Sequence, residues 1–291
     1  MGSAGPAGLF PTEALSGIPF VKMTGSGNDF VFFDARDAPL SLLTSPDVIR
    51  AICNRNNGIG ADGIVVLEPI DGSSQARVHY HNSDGTRADL CGNATLCSTT
   101  MTSELGISRD GTISLLTPAG EIQSRLLDGI PEIDLQPVTE VRPTIDIDLA
   151  SGEQRIGFTL AGIPHLVVLC DAAEDVDVLK RGPTLRRHAI LGAPGANVNW
   201  VSARADGRWR YRTFERGVEG ETLACGTGAV ATAVLLVTWQ LSASPVRILT
   251  SSGRELHVAL SASQTVAGGF NPTLRGEGRV VFRGRIATLI A

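Results

Sequence analysis

Apolar and polar residues alternate over Ala76–His81 and Arg208–Phe214, the period of a half-buried strand. Two glycine turns, in Gly25–Phe33 and Ala161–Leu169, each run into a mostly apolar stretch and predict further strands. The pattern changes after two Cys-Gly pairs. Helices are predicted from Asn93 to about Ser103 and from Thr227 to about Gln240. The second carries an almost unbroken apolar run, Ala229 to Trp239, so it must be surrounded by protein. Short turns such as Asp110-Gly111 and Asp206-Gly207 favour antiparallel pairing over long crossovers.

These landmarks recur. Gly27 and Gly162 differ by 135 positions, as do Asp62 and Asn197, each in its own glycine-led run. Cys91 and Cys225 differ by 134, and Gly120 and Gly253 by 133. Four landmarks in near-constant register predict two α/β halves of one plan, joined near Pro131–Pro143. The expected fold class is α/β (α+β): two pseudo-symmetric lobes, each a curved mixed or antiparallel sheet wrapped around a central helix. The N-terminal lobe is expected over 18–135 and the C-terminal lobe over 136–277. The last strand is expected to cross back, bringing 278–291 to the first lobe. Residues 1–17, rich in Gly, Ala and Pro, read as a flexible leader.

Composition narrows the partners. The chain has 291 residues, 43% hydrophobic and 19% charged, enough for two cores and too apolar for disorder. A formal net charge of −5 with no Lys/Arg run argues against a nucleic acid or an anionic membrane surface. No apolar run is long enough to span a bilayer as a helix. Five cysteines without a secretory signal are read as free thiols in the cytoplasm. Each one alone is most often a small buried apolar residue.

The Cys-Gly pairs are the strongest chemical signal. A thiol before a helix meets unpartnered N–H groups and a positive dipole end, which lower its pKa toward neutrality. The same N–H groups can hold a carboxylate. If a pseudo-twofold axis relates the halves, two thiols flank one α-carbon. One then removes its proton while the other returns one to the opposite face. Two unrelated core cysteines at helix starts are the alternative, and spacing alone leaves both open.

The chain resembles the diaminopimelate epimerase family from about Phe20 to its end. The resemblance rests on Lys22-Met-Thr-Gly-Ser-Gly-Asn-Asp-Phe30, His81-Asn-Ser-Asp-Gly85, Cys91-Gly-Asn93 and the long run Glu215–Ala229. It implies interconversion of LL- and meso-diaminopimelate without a cofactor or metal, on the route to lysine and peptidoglycan, by a homodimer. It also implies that Cys91 and Cys225 are the acid/base pair. Gly92, Asn93, Gly226 and Thr227 would hold the reacting carboxylate. Asn28, Asn82, Asn197, Glu215 and Arg216 would contact the substrate, with Arg216 as a carboxylate fork. His165 and Glu215 would tune the thiols, although a histidine in such a strand is more often structural.

Departures from the family pattern cluster around specificity. Ile163 stands where Asn is common, Ala94 and Leu96 where Gly and Arg are common, and Gly63 where a substrate-contacting Gln sometimes occurs. A racemase of another amino acid and a non-catalytic amino-acid-binding protein therefore remain as alternatives. Gly58–Gly63 matches G-x-G-x-x-G but precedes a strand rather than a helix, against a dinucleotide site. Cys91, Cys97, His79 and His81 fit no usual zinc spacing, and Gly226-Thr-Gly-Ala lacks the lysine of a phosphate loop.

Overall fold

The computed structural model describes residues 12–88, 91–108, 111–264 and 268–287. The chain divides into two compact units, Met1–Arg125 with Gly278–Ala291, and Leu126–Glu277.

In the first unit, strands Pro19–Gly25 and Asn28–Asp34 form an antiparallel hairpin closing at Gly25 opposite Asn28. Its two-residue turn, Ser26-Gly27, takes positive φ at both positions, which matches the twist of the flanking strands. Asn28–Asp34 then pairs in parallel with Gly63–Ile70, and the connection carries the helix Pro46–Cys53, begun by a proline whose missing N–H costs nothing there. Gly63–Ile70 pairs antiparallel with Gln75–Asn82. That strand pairs in parallel with Thr112–Thr117 across the helix Gly92–Glu104, and Thr112–Thr117 turns back antiparallel on Gly120–Leu127. The strand Arg279–Arg285 lies antiparallel on Pro19–Gly25.

The second unit repeats this order. Strands Glu153–Ala161 and Ile163–Cys170 form the hairpin, and Ile163–Cys170 pairs in parallel with Asn197–Ala203. Asn197–Ala203 pairs antiparallel with Trp209–Glu215. Trp209–Glu215 pairs in parallel with Val246–Leu249 across the helix Gly226–Thr238, and Val246–Leu249 turns back on Glu255–Ala262. Here the short strand Val141–Arg142 takes the place on Glu153–Ala161 that the last strand takes in the first unit.

The sheets are therefore mixed, and the preference for antiparallel pairing read from the short turns holds only in part. Each parallel pair is bridged by a helical segment long enough for a crossover.

The two central helices achieve the same burial differently. Gly226–Thr238 is apolar on every side, with Ala229–Leu236 buried throughout. Gly92–Glu104 is rich in Ser and Thr and is also largely buried. Its hydroxyls bond within the helix: Thr95 to Cys91 O at 2.8 Å, Ser98 to Ala94 O at 2.8 Å and Thr99 to Thr95 O at 3.0 Å. That satisfies these three hydroxyls within the helix, while Thr100 Oγ1 donates outside it, to Gly278 O at 2.9 Å.

The segment read as a leader is partly structured. Thr12–Leu15 is a helical turn, and Leu15 is buried in the core with Ile18, Phe20, Phe33 and Ile286. Residues 1–11 lie outside the described residues.

Candidate active site

Cys91 is the residue before the first turn of Gly92–Glu104, with extended φ −136° and ψ 114°. Its carbonyl accepts the first helical bond, from Thr95 N–H at 2.9 Å. Gly92 and Asn93 therefore start the helix, where N–H groups lack helical partners.

The Tyr80 hydroxyl is hydrogen-bonded to Cys91. Burial, then the Cys91 charge, push the Tyr80 phenol well above its usual range, so it stays protonated and donates to sulfur. Its ring stands edge-on to Phe30, with centroids 5.8 Å apart. Gly63 makes room for it: a Cβ there would lie 2.8 Å from Tyr80 Cε2 and 2.4 Å from the His81 carbonyl.

Behind this thiol runs a chain of side-chain bonds. Asn93 Nδ2 donates to Asn28 Oδ1 at 2.7 Å, and Asn28 Nδ2 donates to Asp62 Oδ2 at 3.0 Å. Arg55 donates to Asp62 Oδ1 at 2.7 Å and to both Asp29 oxygens, at 2.8 and 3.0 Å. Lys22 Nζ lies 2.7 Å from Asp29 Oδ2. Burial would raise the Asp29 pKa, but bonds and charge from Arg55 and Lys22 outweigh it and hold the carboxyl at about 2. Asn82 stands outside this chain, donating to Thr86 Oγ1 at 3.0 Å.

Cys225 has the same place before Gly226–Thr238, at φ −130° and ψ 115°. Burial, followed by the hydrogen-bonded Glu215 carboxylate, pushes its thiol up, so it rests protonated. Burial also raises the Glu215 carboxyl. Asn197 Nδ2 approaches Cys225 Sγ at 3.9 Å, while Asn197 Oδ1 accepts the Arg216 backbone N–H at 2.9 Å.

The protons around His165 follow from its neighbours. Asn199 Oδ1 accepts the hydroxyls of Tyr211, at 2.9 Å, and Thr213, at 3.0 Å. That orients its Nδ2 toward Leu166 O at 2.8 Å and His165 Nδ1 at 3.2 Å. His165 Nδ1 must then accept, so the neutral ring carries its proton on Nε2 and donates it to Thr227 Oγ1 at 3.1 Å. The Thr227 hydroxyl is left to donate to Cys225 Sγ at 3.5 Å. Complete burial, then the Arg216 charge, lower the His165 pKa to about 3, which keeps the ring neutral. Tight packing holds the group, since a Cβ on Gly228 would lie 2.2 Å from Tyr211 Oη and 2.5 Å from Asn199 Oδ1.

The structure thus joins Asn28 with Asn93, and Cys225 with His165, Asn197, Glu215, Arg216 and Thr227. Sequence reasoning did not single out Tyr80, Asn199 or Tyr211, and used Asp62 only as a repeat landmark. One signal was available: Tyr80 lies two residues before Asn82, on the same strand face. The other three cysteines differ in setting. Burial pushes Cys53 and Cys170 up to about 12, and Cys97 lies fully buried.

The chain is thus built from two copies of one unit, a helix led by a cysteine and packed in a mixed sheet. A probable proline racemase from Agrobacterium radiobacter shares the fold at a TM-score of 0.64 and 20% identity, covering 93% of both chains. A hydroxyproline epimerase from Agrobacterium vitis matches at 0.64 and 19%, over 93% of this chain and 92% of that one. A PhzF-family phenazine biosynthesis protein from Bacillus anthracis matches at 0.71 and 14%, over 94% and 99%.

The diaminopimelate epimerase family model matches residues 20–134 and 158–268. A diaminopimelate epimerase from Gemmatimonas aurantiaca is 62% identical over 276 residues, 93% of this chain and 99% of that one. One from Aquifex aeolicus is 34% identical over 92% and 97%. The chain belongs to the diaminopimelate epimerase family.

Proposed function

We propose that this isomerase interconverts LL- and meso-diaminopimelate, with Cys91 and Cys225 as its two proton carriers. One observation carries the mechanism: each unit sets a cysteine immediately before a buried central helix of 13 residues. Cys91, with the protonated Tyr80 hydroxyl beside it, acts as the base toward one stereoisomer. Cys225, kept protonated by burial and Glu215, is the acid. The Cys91 thiolate takes the α-proton; the C–H bond breaks, an S–H bond forms, and the electron pair passes into the α-carboxylate. N–H groups at Gly92, Asn93, Gly226 and Thr227 stabilise the charge that develops there. The Cys225 S–H bond then breaks as its proton joins the opposite face of the α-carbon. For the other stereoisomer the thiols exchange roles.

Asn82, Asn197 and Arg216 serve the distal amino-acid end in this reading. A homodimer in the cytoplasm belongs to it through family membership. No described helix is long and apolar enough to cross a membrane.

Incubation in deuterium oxide with LL-diaminopimelate, and separately with the common amino acids, tests the proposal. Label entering the α-position of diaminopimelate is the expected result. Label entering only another amino acid would instead favour a racemase, the reading suggested by Ile163 and Leu96. Binding without exchange would rule out catalysis.

A further inference from the structure

Asn93 is 2% exposed, and its Oδ1 has no hydrogen-bond partner in the described structure. A buried amide oxygen left without a donor is costly, so a native site that keeps one is prepared to receive a donor. The orientation of this amide is fixed from a distance. Asp62, ion-paired to Arg55, can only accept, so Asn28 must turn its Nδ2 toward it. Asn28 then presents Oδ1 to Asn93, and Asn93 must answer with Nδ2. Its Oδ1 is what remains. Asn93 is also the second residue of the helix whose first N–H groups are free for a carboxylate. An α-ammonium and an α-carboxylate share one carbon, so a head group whose carboxylate sits on those N–H groups brings its ammonium close to the same residue.

We infer that Asn93 Oδ1 accepts the α-ammonium of the amino-acid substrate, and that Asp62 is the positioning residue that keeps this oxygen free. The inference rests on the proposed function and assigns Asn93 a second task besides its backbone N–H. The network that sets it, Asp62 with Arg55, Asp29 and Lys22, lies behind Asn28 and does not include the thiol.

Two ligands separate the contributions: LL-diaminopimelate, and pimelate, the same dicarboxylate without amino groups. Each is titrated as a protectant of Cys91 against iodoacetamide in the full-length protein, with the Cys91 peptide followed by mass spectrometry. Asn93→Leu should weaken protection by diaminopimelate about tenfold, the loss expected for one hydrogen bond to a charged group, and leave pimelate unchanged. Asp62→Asn should act in the same direction, because an amide at 62 can donate, letting Asn28 invert and occupy Asn93 Oδ1. It preserves the shape of the site and decides the matter if Asn93→Leu fails to fold. Equal weakening of both ligands, or no change in either, would overturn the inference. If diaminopimelate does not protect wild-type Cys91, the diaminopimelate reading itself fails and this inference with it.

Discussion

A single oxygen separates Tyr80 from phenylalanine, and that oxygen is bonded to Cys91. Tyr80→Phe keeps the packing on Phe30 and Gly63 but removes the donor to sulfur. The rate of Cys91 alkylation against pH should then shift its midpoint upward by about one unit, as expected for losing one bond to a charged group. An unchanged midpoint would mean that Tyr80 only fills the space beside Gly63. The place of Cys91 and Cys225 before the two central helices was legible in the sequence because a short Cys-Gly motif carries each. Tyr80, Asp62 and Asn199 were not, since their contacts cross between strands and no local spacing records them. The absence of a side chain at Gly63 was visible, but what occupied the space was not.

The helix Gly226–Thr238 holds its position because residue 228 has no side chain. Gly228→Ala would drive a methyl group into Tyr211 and Asn199, the residues that orient His165. The expected cost is about 1–3 kcal/mol of overpacking, read as a lower urea midpoint with an unchanged slope. Unaltered stability would show that the helix start can shift freely. Both central helices and several of the strands were readable from periodicity and glycine turns. Parallel pairing was not, because a strand's partner is decided by the helical crossover between them. The burial of Gly92–Glu104 followed from the repeat, but how a Ser/Thr-rich helix tolerates it did not: buried hydroxyls such as those of Ser98 and Thr99 bond back to their own helix.

For the folded chain as a whole, His165 couples stability to pH. The unfolded imidazole binds a proton below about 6.5, whereas the folded one resists until about 3. Its contribution is therefore fully present above pH 6.5 and lost progressively as pH falls toward 3. His81, lowered first by burial and then by Arg87, acts in the same direction, so the wild type must be compared with His165→Gln. Denaturation midpoints should fall more steeply with acid in the wild type than in the variant between pH 6.5 and 4. Asp29 adds its own loss only below about pH 4, as its carboxyl is protonated toward about 2. Parallel profiles would show that His165 is not buried and neutral. The repeat itself was legible at this scale, since four landmarks kept their spacing, and the duplicated pairing order explains why.

Solvent deuterium entering the α-position of LL- and meso-diaminopimelate, measured for variants at Cys91 and Cys225, tests the central claim most directly. Either alanine variant should lose inversion by a factor on the order of a thousand, since an obligatory proton carrier is gone. Either serine variant keeps a hydroxyl that can relay a proton but is a poor base, so residual exchange should favour one stereoisomer. The account predicts opposite stereoisomers for Cys91→Ser and Cys225→Ser. The same preference in both, or near wild-type inversion by Cys91→Ala, would contradict it.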